Sequence, residues 1–149
     1  MTPQSRSEWM GLLARSGIEA LRDAWGALNL SPEFEWLRAP ETGAVMVRGR
    51  AGGSGKPFNL GEMTVTRCAL RLLDDGVIGH AYVQGRDRSH AERAALADAL
   101  LQTRHAEVVQ RIVIAPLAEQ LAAARAEQQD KAAATRVDFF TLVRGEDQP

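Results

Sequence analysis

Cysteine is almost missing from this chain: Cys68 stands alone among 149 residues. An internal disulfide is therefore impossible, as are a four-cysteine zinc site and a cysteine-held iron–sulfur cluster. Aromatic residues are scarce too, with four phenylalanines, three tryptophans and one tyrosine, so the places where they fall carry information. Neither sign of charge dominates. A formal net charge of −1 disfavours a strongly basic nucleic-acid binder. No apolar run approaches the ~20 residues that span a bilayer as a helix. Residues 1–8 lack the basic-then-apolar order of a secretory signal. The expectation is a cytoplasmic protein with neither membrane nor nucleic acid as partner. An ordinary apolar content with a quarter of residues charged excludes a disordered composition. The length suits a single domain, 1–149, with a real core.

Hydrophobic spacing predicts an α+β fold. Trp9, Leu12 and Leu13 share one face of a helix over Ser7–Arg15, with Ser5 or Ser7 as its cap. Ser16-Gly17 interrupts it. Ile18, Leu21, Trp25 and Leu28 mark a second helix, which completes an N-terminal helical hairpin. From Phe34 the period becomes two. Phe34–Leu37, a turn at Pro40-Glu41-Thr42-Gly43, Val45–Arg48, a glycine-rich loop over Gly49–Pro57, Gly61–Leu73, a tight turn at Asp74-Asp75-Gly76, and Val77–Gln84 predict a four-stranded antiparallel sheet. Two C-terminal helices follow. Ser89 and Glu92 have the spacing of a capping box for the first. Ile112-Val113-Ile114 reads as a short link, and Pro116 suits the first turn of an alanine-rich second helix that runs to about Thr135.

The end of the chain breaks the usual rule for termini. Two of the four phenylalanines lie in Arg136-Val137-Asp138-Phe139-Phe140-Thr141-Leu142-Val143, where a polar, frayed end is the norm. Alternation places Val137, Phe139, Thr141 and Val143 on one side of an extended strand and Asp138, Phe140 and Leu142 on the other. A segment apolar on both sides suits insertion between surfaces or addition to a sheet. Residues 136–149 are therefore expected to dock on a partner or to fold back on the domain. Arg136, Val137, Phe139, Phe140 and Leu142 are the candidate interface.

Three familiar motifs fail on detail. The run Arg50-Ala51-Gly52-Gly53-Ser54-Gly55-Lys56 has Arg50 where a phosphate loop needs its first glycine and Pro57 where it needs Ser or Thr, and a strand follows instead of a helix. His90-x-Glu92 is half of a zinc-deaminase signature whose other half needs two cysteines. His80, His90 and His105 have no metal-site spacing, so no metal is assigned. The arginines are more informative. Arg67 and Arg71 share one strand face, away from Thr64, Thr66 and Cys68. Arg86 and Arg88 flank Asp87 just before a helix N-terminus, where unpaired N–H groups and guanidinium forks both favour anions. Arg67, Arg71, Arg86 and His90 are the candidate anion-binding set. The competing reading is a solvated salt-bridge face with Glu62, Asp87 or Glu92.

Several blocks, taken together, resemble one family. They are Thr64-Val65-Thr66-Arg67, Gln84-Gly85-Arg86-Asp87-Arg88-Ser89-His90-Ala91-Glu92-Arg93, Ile114-Ala115-Pro116-Leu117 and Arg136-Val137-Asp138-Phe139-Phe140. In that order, and with the Glu41-Thr42-Gly43 turn, they resemble the PhnG family of the bacterial carbon–phosphorus lyase system over nearly the whole chain. The resemblance implies a subunit that works with PhnH, PhnI and PhnL. Together they attach a phosphonate to C1′ of the ATP ribose and release adenine, which gives a ribose 1-phosphonate 5-triphosphate. It also implies a core of PhnG, PhnH, PhnI and PhnJ, two copies of each. In later steps pyrophosphate is removed and PhnJ, an iron–sulfur radical subunit, cleaves the C–P bond with S-adenosylmethionine. No catalytic residue is carried over, and no cofactor is expected in this chain. ATP and phosphonate would be met only through the complex. An accessory subunit is the leading expectation. A direct contribution of arginines to a shared pocket is the second, and a stand-alone small-molecule binding domain the third.

Overall fold

The computed structural model describes residues 5–134. The apolar end, with Arg136, Val137, Phe139, Phe140 and Leu142, lies outside them. Within them the chain is α+β, with a three-stranded antiparallel sheet in the order β1-β2-β3.

Helix α1 (Arg6–Arg15) begins on a complete capping box: Glu8 N–H donates to Ser5 Oγ, and Ser5 N–H donates to the Glu8 carboxylate. Leu12 and Leu13 are buried. Helix α2 (Ile18–Leu28) buries Leu21 and Leu28 and stops at Asn29, whose left-handed backbone (φ 50°) ends the helical ladder.

Strand β1 (Phe34–Arg50) then runs straight through the expected turn at Pro40. Its register against β2 (Pro57–Leu72) slips between Trp36 and Arg38 and again between Arg38 and Glu41, so Leu37, Ala39 and Pro40 have no partners. These bulges explain why the chain does not reverse. Proline lacks an N–H and is tolerated at a bulge of an edge strand. Two expected strands are therefore one, and the sheet has three strands rather than four. The reversal falls instead at a short 3₁₀ turn, Ala51–Gly53, where Gly52 (φ 60°) and Gly53 (φ 79°) supply the positive φ. Strand β3 (Ile78–Gln84) follows the turn at Gly76, as expected.

Helix α3 (Arg88–Leu100) is the centre of the molecule. From Ala94 to Leu100 every residue is buried, with the sheet on one side and α1 and α2 on the other. Alanines at 91, 94, 95, 97 and 99 let it lie very close to the sheet. A Cβ on Gly79 of β3 would collide with the Ala95 carbonyl and sit 2.8 Å from Ala99 Cβ. The cap of α3 is Asp87, not Ser89: its carboxylate accepts from His90 N–H at 2.6 Å. The chain turns at Gly85 (φ 94°), whose carbonyl accepts from Thr66 Oγ1 at 2.8 Å.

The expected link at residues 112–114 is helical. Helix α4 (Ala106–Val109) continues through a π-helical turn, Gln110–Ile114, into α5 (Ala115–Ala134). Ala115 N–H reaches the Gln110 carbonyl. The wider turn makes room for the Pro116 ring, which would otherwise press on the carbonyl four residues earlier. Val109, Val113, Ile114 and Leu117 anchor this run in the core and Leu121 is packed against it. Beyond Leu121 all thirteen residues to Ala134 are exposed.

Candidate functional site

The helices cover one face of the sheet. The other face is open, and register defines what it carries. Glu41 lies opposite Arg67 and Arg67 opposite Tyr82; Glu35 lies opposite Arg71 and Arg71 opposite Ile78. Arg67 Nε donates to Glu41 Oε1 at 2.7 Å, and Arg38 joins the same oxygen at 3.1 Å. Arg71 donates to Glu35 at 3.0 Å. Between these pairs the small Ala69 leaves a shallow depression of about 510 Å³, bordered by Arg38, Arg67, His80, Tyr82 and Met10 of α1.

The four candidate residues are not gathered at one place. Arg67 and Arg71 share the open face, as strand alternation requires. Arg86 is exposed ahead of α3 and has no ion pair among the described residues. His90 is 2 % exposed on the opposite, helix-covered side, where Nε2 lies 3.2 Å from the Leu13 carbonyl and 3.4 Å from Ser16 Oγ. Burial pushes its pKa below the ordinary histidine value; the Leu13 carbonyl and Asp87 oppose that shift and Arg93 adds to it. A neutral ring whose Nε2–H donates to Leu13 satisfies this geometry and leaves Nδ1 without a partner. Cys68 is buried, with its Sγ donating to the Ala91 carbonyl. Burial first, then the Glu92 charge, push its thiol up to about 11, so it is held as an unreactive thiol.

Most anion-binding donors here are already engaged by carboxylates of the chain itself. Glu41 and Glu35 occupy Arg67 and Arg71, and Asp87 occupies the first-turn N–H of α3. An incoming phosphate would have to displace them.

The most heavily engaged carboxylate was not legible as a candidate. Asp98 of α3 is fully buried. It accepts from Arg6 Nε at 3.1 Å and Nη2 at 2.7 Å, from Trp9 Nε1 at 2.9 Å and from His80 N–H at 2.9 Å. Asp98 in turn raises the Arg6 pKa. Arg6 and Gln102 also donate to the Ile78 carbonyl. The cluster thus occupies two outward-facing polar groups at the start of β3, the Ile78 carbonyl and the His80 N–H. A lone aspartate in an alanine-rich run was the only sequence signal, and its partners lie up to 92 residues away.

With this geometry in place, comparison decides the family. The model of the family described as "Phosphonate metabolism protein PhnG" matches residues 4–145. The chain belongs to the PhnG family. It is 50% identical over 146 residues to a Rhizobium meliloti (strain 1021) protein, the "Alpha-D-ribose 1-methylphosphonate 5-triphosphate synthase subunit PhnG". That alignment covers 95% of this chain and 90% of the relative. The PhnG blocks seen in the sequence fall at structural joints. Thr66 bonds to the Gly85 turn, Asp87 caps α3, His90 sits beneath α1, and Pro116 follows the π turn. None of the described helices is long and apolar enough to cross a membrane.

Proposed function

We propose that this chain is an accessory subunit of the synthase that makes α-D-ribose 1-methylphosphonate 5-triphosphate. It works with PhnH-, PhnI- and PhnL-type subunits and sits in a core of PhnG-, PhnH-, PhnI- and PhnJ-type subunits, two copies of each. The observation that carries this reading is the half-identical match to a subunit of that name across 95% of the chain. The exposed helix 122–134 supports it, because such a projection suits a chain that is one part of an assembly. In this role the chain orients its neighbours, while phosphonate displaces adenine from the ribose in a pocket they build. The test is adenine release from ATP and methylphosphonate by the purified subunits with and without this chain. Release should require it. Undiminished release without it would overturn the proposal.

A second reading rests on the open face. Arg67 and Arg71 are paired yet about half exposed, and no described helix covers them. In this reading Arg67, Arg71 and Arg86 supply cationic donors to a shared phosphate or phosphonate pocket, with His90 holding α1 beneath the α3 N-terminus. Single alanine variants in the assembled complex distinguish the two. A 10-fold or larger loss of adenine release with intact assembly favours the direct role; unchanged rates in all four variants remove it.

A further inference from the structure

The open face of the sheet does not stop where β3 stops. Strand β3 pairs with β2 only from Val65 to Arg71, yet β1 and β2 stay paired out to Arg50 and Pro57. Residues 44–63 therefore form a two-stranded hairpin that runs about 20 Å past the third strand. No residue between Phe34 and Cys68 belongs to the core cluster or packs against it, and none of residues 44–63 is buried. Two strands alone are marginal in water; a third strand or a packed layer is what stabilises them.

The hairpin has two unlike faces. Val45 lies opposite Met63, on the side that carries Glu41 and Arg67. The bulge at Leu60 brings Leu60 and Phe58 to that same side, because a Cβ on Gly49 would lie 3.8 Å from each. Val45, Val47, Phe58, Leu60 and Met63 thus make one apolar stripe that continues the open face. Leu60 is 65% exposed and Phe58 46%, so the described chain leaves the stripe uncovered. Arg48 and Arg50 stand on the reverse side and Lys56 at the turn, against one carboxylate, Glu62. None of these three cations is in an ion pair among the described residues, although the chain as a whole carries −1.

We propose that this hairpin docks, apolar stripe first, on another protein of the synthase, in a cleft with an apolar floor and carboxylates along its rim. The proposal rests on the reading above of this chain as a subunit, and it names the surface that reading leaves open. Charge selects the occupant. Three unpaired cations favour an acidic rim and repel the same hairpin of a second copy. They fall short of the cluster of about four to eight that recognises anionic lipid, and the turn Ala51–Lys56 carries no large apolar residue to enter a bilayer. Phe58 and Leu60 are the anchors, desolvated on docking, and the arginines fix the orientation.

The test uses the full chain, tagged and co-expressed with the PhnH-, PhnI- and PhnJ-type subunits. The parent chain should retrieve them. Phe58→Ser with Leu60→Ser should retrieve about 10-fold less or lower still, at an unchanged urea midpoint, since neither side chain packs on the core. Arg48→Glu with Arg50→Glu should also retrieve less. Leu73→Ser changes a comparably exposed residue outside the hairpin and should retrieve as much as the parent. Asn59→Cys, carrying a thiol-directed photocrosslinker, should become linked to one of those subunits, while buried Cys68 stays unlabelled. A parent that retrieves none of them overturns the subunit reading and this proposal together. Equal retrieval by the parent and the Phe58/Leu60 variant overturns the hairpin alone, and undiminished retrieval by the arginine variant overturns the acidic rim. A crosslink only to a second copy of this chain overturns the proposal, as does binding to anionic-lipid vesicles that the Phe58/Leu60 variant loses.

Discussion

Asp98 shows how one side chain can hold three elements together. Its two oxygens receive a guanidinium, an indole N–H and a backbone N–H, tying α1 and β3 to α3. Removing it leaves the Trp9 and His80 donors unpaired, at about 1–3 kcal/mol each. Asp98→Ala is therefore expected to cost about 3 kcal/mol or more in urea unfolding. Arg6→Ala should cost less, since Arg6 is partly exposed and Asp98 keeps its other donors. Equal stability of Asp98→Ala and the parent would contradict this account.

His90 makes a pH prediction whose sign follows from its burial. Its folded pKa lies below the ordinary value of 6.5. Above about pH 6.5 the ring is neutral in both states and its contribution is intact. As pH falls below that value the unfolded chain takes up the proton first, so stability falls until the folded pKa is passed. His90→Gln should flatten the dependence of melting temperature on pH below about 6.5. A slope identical to the parent's would assign the acid sensitivity elsewhere.

Among elements, those with a local cause were legible in the sequence. The serine cap of α1, the amphipathic period of α2 and the Gly76 turn each rest on residues a few positions apart. So does the split of Arg67 and Arg71 from Thr66 and Cys68. The missed features have distant causes. Pro40 signals a turn only when no neighbouring strand pins the chain; β2 pins it, and two bulges absorb the misfit. Alanine marks exposed and closely packed helices alike, so α3 and the end of α5 read similarly although one is central and the other bare. The candidate anion residues were found as types, but their partners Glu35 and Glu41 depend on β-register. The close approach of α3 to β3 makes a firm test. Gly79→Ala should destabilise the domain by about 2–3 kcal/mol, the scale of an overpacked core. Gly61→Ala in β2, where a Cβ meets nothing within 4 Å, should cost clearly less in the same titration. Equal effects would mean that strand propensity and not packing sets the cost.

At the scale of the whole molecule, the body and the arm are physically distinct. Among the described residues Leu121 is the last whose side chain is packed against the core. The arm is helical because alanine favours helix intrinsically, with help from pairs such as Lys131 with Glu127 at 2.6 Å. Isolated helices of this length are marginal in water, and nothing in the arm contributes burial to the body. A chain ending after Ala123 should therefore unfold within about 0.5 kcal/mol of the full chain, as a surface change remote from the core does. The comparison belongs at concentrations low enough for single chains, because association would add its own stabilisation. Helical circular dichroism should fall while the urea midpoint holds. A midpoint shifted by more than about 1 kcal/mol exceeds that surface range and would mean that the C-terminal segment folds onto its own domain.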